Sequence, residues 1–180
     1  MKYYINTKSI IILMSLCIFS CGGEEEESKI NVLQIGNTEY STNDGGILFY
    51  GPGSSYEGNY MEMGITADGV QIEPFNFGGD LQFKGTGLIM YFVLYSTTTD
   101  VIAKGNYTVS TESKPGNIIE VGYYYWDGED TTSTSVDLVS GKLEVINNGS
   151  QYELIFNGLD ENNENIYLSY VGEIFYFDNS

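Results

Sequence analysis

The chain contains no histidine and no arginine, and neither of its two cysteines lies beyond residue 21. Without histidine there is no Ser-His-Asp or Cys-His triad. Without histidine or cysteine in its main body there are no ligands for zinc or other metals that prefer nitrogen and sulfur. A disulfide framework is excluded as well. Seven basic residues, all lysine, stand against 25 acidic ones. Nucleic acid is therefore excluded as a partner, because affinity for it comes largely from Lys and Arg neutralising phosphates. Also missing is any window of ten or more residues that carries a 3.6-residue apolar period with helix caps. A Gly-rich phosphate loop opening a helix is excluded with it.

What is present begins with a bipartite N-terminus. Lys2 and Lys8 precede an apolar run from Ile10 to Phe19, and the small Ser20 follows. Positive flank, short apolar core and small residue are the parts of a cleavable secretory signal, expected over residues 1–20. The run is too short to cross a bilayer, which needs ~20 apolar residues. Ile18-Phe19-Ser20-Cys21 resembles the lipobox of bacterial lipoproteins. The resemblance implies that Cys21 is acylated with palmitate-type chains and becomes the first residue, holding the protein on a membrane by lipid. The alternative is cleavage by the general signal peptidase, with Cys21 left as a free thiol. Residues 21–29 then form a tether, since Gly22-Gly23 is pliable and Glu24 to Glu27 repel one another. An acidic run just after a lipidated Cys resembles the surface-export signal of Bacteroidota lipoproteins. That implies an outer-membrane, surface-exposed location. Loss of the signal leaves five lysines against 25 carboxylates, hence a charge of −20. Such a field favours cations, cationic ligands or neutral polymers such as glycans.

Residues 30–180 read as a single all-β domain. Residues 32–35, 46–50, 60–66, 70–75, 81–84, 87–95, 106–111, 117–126, 134–146, 151–157 and 165–177 are apolar or aromatic runs bounded by Gly, Asn, Asp or Pro, the signature of strands. Gly87 to Ser96 is apolar at every second position on both faces, as in a central strand covered on two sides. In the last third Val139, Leu143 and Val145 are expected inward, with Gly141 between them. Asn147-Asn148-Gly149 predicts a tight hairpin turn. Tyr152, Leu154 and Phe156 face one way on the next strand. Residues 159–165 form the following turn, and Ile166, Leu168 and Tyr170 begin the last strand, where Gly172 marks a bulge or a close approach. Many short strands mean a sandwich or a barrel. The expectation is an antiparallel β-sandwich, with a lipocalin-like β-barrel as the alternative.

Five stretches carry a further likeness. Val101 to Val109 fits "x-G-x-Y-t-v". Val139 to Val145 fits "v-s-G-t-v-x-v". Tyr152 to Phe156, Asp160 to Asn162 and Tyr170 to Gly172 continue the series. Together they resemble a group of small, Tyr/Gly-rich Bacteroidota surface lipoproteins whose function is uncharacterised. The likeness spans about residues 30–178. It implies a fold and an anchored life outside the cell, and no catalytic residue. The Gly usual in the last turn is replaced by Asn162-Asn163-Glu164-Asn165.

Paired carboxylates could serve glycoside hydrolysis. With 25 acids some pair will be close by chance, so no enzyme is expected. No cofactor is expected either, apart from weak calcium, which takes oxygen ligands. Asp160, Asn162 and Glu164 are the candidate ligands, with Asp127-x-Glu129-Asp130 as a second acidic loop; the competing reading of each is a solvated turn. The remaining feature is Tyr123-Tyr124-Tyr125-Trp126. Alternation puts Tyr123 and Tyr125 inward with Ile119 and Val121, and sends Tyr124 and Trp126 outward. Tyr124, Trp126 and Asp127 are the candidate glycan contacts, against the competing reading of a rim that covers an edge. Three functions follow: a surface module binding a glycan or another extracellular ligand, a structural or adhesive protein (including an accessory subunit of an outer-membrane complex), or a carrier with a ligand inside a closed barrel. The first is the expectation. The sequence sets no oligomeric state.

Overall fold

A computed structural model describes residues 30–52, 57–73, 80–129 and 135–180. The expected signal, Cys21 and the expected acidic tether lie outside them. Twelve strands were found: β1 (Val32–Ile35), β2 (Thr38–Pro52), β3 (Asn59–Ala67), β4 (Gln71–Ile72), β5 (Phe83–Lys84), β6 (Gly87–Ser96), β7 (Gly105–Val109), β8 (Asn117–Trp126), β9 (Val136–Asn148), β10 (Tyr152–Asp160), β11 (Asn165–Gly172) and β12 (Ile174–Asp178). There is no helix among the described residues. Each expected run contains a strand. The last run divides in two at Gly172-Glu173.

The strands form one sheet in the order β1-β11-β10-β9-β7-β8-β6-β3-β2-β12, and β1 also pairs with β2. That second pairing closes nine strands into a barrel. The all-β expectation holds, and of its two architectures the barrel is the one formed. The sandwich and the barrel use the same inward–outward alternation. What separates them is β2. Its first residues pair with β1 (Leu33↔Tyr40), and after a register shift its remainder pairs with β3 (Ile47↔Met63). One long bent strand thus joins two walls that a sandwich would keep apart. β12 lies beyond the ring, parallel to β2.

Side chains fill the interior. Met61, Met63, Ile65 and Ala67 of β3 and Leu88, Met90, Phe92 and Leu94 of β6 point in. Leu143, Val145, Leu154, Phe156, Ile166, Leu168 and Tyr170 meet them from β9, β10 and β11. Phe92 and Phe156 come from non-adjacent strands, yet their rings meet edge to face with centroids 5.4 Å apart. The lumen is therefore spanned by side chains. Phe156 also leans over the cross-strand pair Gly141↔Gly158. A Cβ on Gly141 would lie 2.3 Å from the Phe156 ring, so only glycine admits it. Ile102, fully buried, stoppers one end. Its N–H donates to the Tyr152 hydroxyl at 3.2 Å, and its carbonyl accepts from Asn148 Nδ2 at 2.9 Å.

Several local expectations need correction, each for a bulge, a strand end or a turn. Val139 is not inward; it is 60 % exposed, because the register shift between Leu159 and Asp160 leaves it as an extra residue and turns Leu138 in. Likewise Ile119 is the extra residue opposite Val93 and Leu94, so Ile118 takes the inward place. Tyr123 packs on the core as expected, but Tyr125 is 56 % exposed at the strand's end. Asn148 and Gly149 lack positive φ, so the two-residue hairpin is not formed. The connection is Gly149–Gln151, held by Asn147 Nδ2 donating to the Gln151 carbonyl at 2.9 Å. In the last turn Asn163 adopts φ +63°, supplying the left-handed residue that a Gly would otherwise provide.

Candidate ligand site on the outer wall

The outer face of β3, β6 and β8 is unusual for its lack of side chains along one row. Gly46, Gly64, Tyr91 and Gly122 lie side by side on β2, β3, β6 and β8. Three of these four cross-strand neighbours are glycines. Tyr91 lies over Gly122, where an added Cβ would meet its hydroxyl at 2.6 Å. Leu81 reaches across Gly46 and Gly64, at 2.8 and 3.1 Å from where their Cβ atoms would be. Leu81 and Phe83 belong to the β4–β5 hairpin, which lies over the barrel wall; Ile72 of the hairpin and Ile89 of the wall are both buried.

Between hairpin and wall is a cleft of about 180 Å³. Leu48, Met63, Gly64, Leu81 and Ile89 form its apolar part. Phe83, Tyr91 and Tyr124 supply aromatic surface, and Glu62 and Asp80 supply carboxylates. Among the described residues no basic side chain lines it. The Tyr91 and Tyr124 rings stand 6.1 Å apart at 49°. Tyr91 donates its hydroxyl to Asp137 Oδ1 at 3.1 Å, which fixes the ring.

Glu62 is held with equal care. Its Oε1 accepts the Tyr60 hydroxyl at 2.8 Å and its Oε2 accepts the Tyr50 hydroxyl at 3.1 Å. The two rings pack edge to face at 5.3 Å. Burial, followed by the Glu62 charge, pushes the Tyr50 hydroxyl up to about 12. Tyr60 moves upward too, by burial first and then by its bond to Glu62. Burial and the bond to Asp137 do the same to Tyr91. All three hydroxyls thus remain donors at neutral pH. Each Glu62 oxygen has a second lone pair beyond the one these donors use.

Of the sequence-predicted glycan contacts, Tyr124 lines this cleft. Trp126 lies beside it and packs on Phe83, centroids 5.6 Å apart; its indole N–H is buried with no partner among the described residues. Asp127 is exposed in the following loop, where its Oδ1 accepts the Glu129 N–H at 2.9 Å. Asp127 does not line the cleft. Phe83, Tyr91, Glu62 and Asp80 were missed. The outward facing of Glu62 and Tyr91 was readable from alternation on β3 and β6. Their convergence was not, because it depends on the register Gly64↔Tyr91↔Gly122.

Of the expected calcium ligands Asp160, Asn162 and Glu164, the first is bound up in the turn itself. Asp160 is only 1 % exposed. Its Oδ1 accepts the N–H groups of Asn162 and Glu164, both at 2.8 Å, so the carboxylate closes the β10–β11 turn. Its Oδ2 faces the Tyr123 hydroxyl at 3.5 Å. Among the described residues no group of three or more His, Cys, Asp or Glu is placed to hold a metal ion. Asp130 of the second acidic loop lies outside the described residues.

A second cavity, about 210 Å³, sits near the start of β7 among Thr97, Ala103 to Tyr107, Pro115 and Gly116. Its one charged side chain, Lys104, is bonded to Asn147 Oδ1 at 3.0 Å. No helix among the described residues is long and apolar enough to cross a membrane. Comparison of the chain with protein-family models, with curated proteins and with solved structures gives no match in any of the three.

Proposed function

We propose that this protein is a lipid-anchored module of the outer-membrane surface, held through Cys21, that binds an extracellular glycan without catalysing a reaction. The observation that carries the reading is the outer cleft, where two tyrosine faces and a Phe stand beside two carboxylates. Sugars offer C–H faces to aromatic rings and hydroxyls to carboxylates, and a ligand site needs a few fixed polar groups on an apolar floor. Tyr50 and Tyr60 fix Glu62, and Asp137 fixes Tyr91, so the site is ordered before a ligand arrives. The filled lumen weighs against a carrier that would hold its ligand inside the barrel.

The test is a glycan-array screen of the full chain, purified with its lipid in detergent. A hit should lose about tenfold in affinity on Tyr124→Ala, the size expected for losing an aromatic stacking face. Undiminished binding by that variant would move the ligand elsewhere. Location is tested separately: Cys21→Ser should abolish labelling by a palmitate analogue, and protease added to intact cells should remove the wild-type protein.

A further inference from the structure

The cleft combines two features that neutral sugars do not require together: aromatic faces, and acidic side chains with no base among them. Among the described residues no lysine pairs with Glu62. Its only described partners are two neutral hydroxyls, which hold its orientation and leave its charge in place. Asp80 is exposed at the cleft's edge and adds a second negative charge. Of the glycine row only Gly64 lines the cleft, since Leu81 lies over Gly46 and Gly64 and Tyr91 over Gly122, and Tyr91, Tyr124 and Phe83 supply aromatic surface around it. Rings and carboxylates together are what an ammonium group requires, since the ring quadrupole attracts a cation and the carboxylate pairs with it. The acidity of the whole chain, with no arginine and seven lysines, would raise the local concentration of such a ligand.

We infer that the outer cleft selects ligands carrying a free ammonium group, which on the glycan reading means an amino sugar whose amine is not acetylated. This rests on the glycan-binding proposal for the class of molecule, and on the cleft alone for the charge. The ammonium sits against Glu62 and Asp80, with Tyr91 and Tyr124 flanking it. Acetylation removes both the charge and the two extra N–H donors.

The experiment is calorimetry of the full-length, detergent-solubilised protein with two trisaccharides of one backbone, the glucosamine trimer and its N-acetylated counterpart. The free amine should bind at least about tenfold more tightly, and that margin should shrink as salt is raised. Asp80→Asn, a change at an exposed side chain, should weaken the glucosamine trimer severalfold. Glu62→Gln should do so more strongly, with thermal melting confirming that the barrel persists. Equal affinity for the two trimers would overturn the ammonium inference while leaving glycan binding in place. If neither trimer binds, this class of amino sugar is rejected, and tetramethylammonium titrated against tyrosine fluorescence decides the charge question alone. Saturable quenching that is lost in Tyr124→Ala upholds an ammonium site; a flat titration rejects it.

Discussion

The β9–β10–β11 meander and the β3–β6–β8 wall are built from strands of similar length in one barrel, yet they treat their outer faces differently. On the meander the outer face carries Lys142, Glu144, Glu153 and Asn157, all exposed to water. On the wall it carries Ile89, Val93 and Tyr95, all buried, together with the glycine row. A sheet that is apolar on both faces needs a second covering. The β4–β5 hairpin supplies one over Ile89, and the cleft is the space that this covering leaves. The interior sets the fold, whereas the cleft arises where the barrel wall is apolar on both of its faces.

The contrast can be broken most completely by alkali. Tyr50, Tyr60 and Tyr91 on the wall, and Tyr123, Tyr152 and Tyr170 toward the interior, all have hydroxyls raised chiefly by burial. A group whose folded pKa exceeds its unfolded value contributes stability below the unfolded pKa and loses it as pH climbs to the folded one. Stability should therefore be constant up to about pH 10, the ordinary tyrosine value, and fall through about 12, where Tyr50, Tyr123 and Tyr170 titrate. Tyrosinate absorbance and loss of the β signal in circular dichroism should rise together. Tyrosinate appearing well before unfolding would mean that the wall titrates independently of the interior.

Next in size is Phe156→Ala, which should cost about 3–5 kcal/mol in urea unfolding, because the ring fills the lumen against Phe92 and covers two glycines. Ile89→Ala sharpens the comparison more. The residue points out of the barrel, so a single-core reading would assign it almost no effect. Its burial under the hairpin predicts a loss of about 2–4 kcal/mol. The smallest effect belongs to Val139→Ala. It is the same chemical type on the same outward side, but exposed on the meander, and should stay within about 0.5 kcal/mol.

These examples also mark how far the sequence was legible. Alternation placed Leu143, Val145, Leu154 and Phe156 inward without error, since strand period is a property of neighbours in the chain. It failed at Val139, Ile119 and Tyr125. The first two are extra residues in bulges, and a bulge is defined by the partner strand. Tyr125 follows the alternation but lies at the strand's end, where the wall no longer covers it. Barrel and sandwich could not be separated because closure rests on the two pairings of β1, made with β2 and β11. The site was legible only at Tyr124. Tyr91, Glu62 and Asp80 join it through the register of four strands and a hairpin. Asp160 stood out as an acidic turn residue, but its burial and its two amide donors depend on the turn's three-dimensional path.

The pairing of Val32 with Ser169 carries a consequence for the order of events in the life of the chain. The first strand of the barrel has neighbours near the beginning and near the very end of the sequence. A chain that emerges from its N-terminus can form the β1–β2 hairpin early, but it cannot complete the ring until β11 has also arrived. Such long-range pairing is slow, and until it occurs β1 and β11 present unpaired edges to their surroundings. The barrel is thus a structure that closes only after nearly the whole chain is present, with its N-terminal strand waiting for the last part to be delivered.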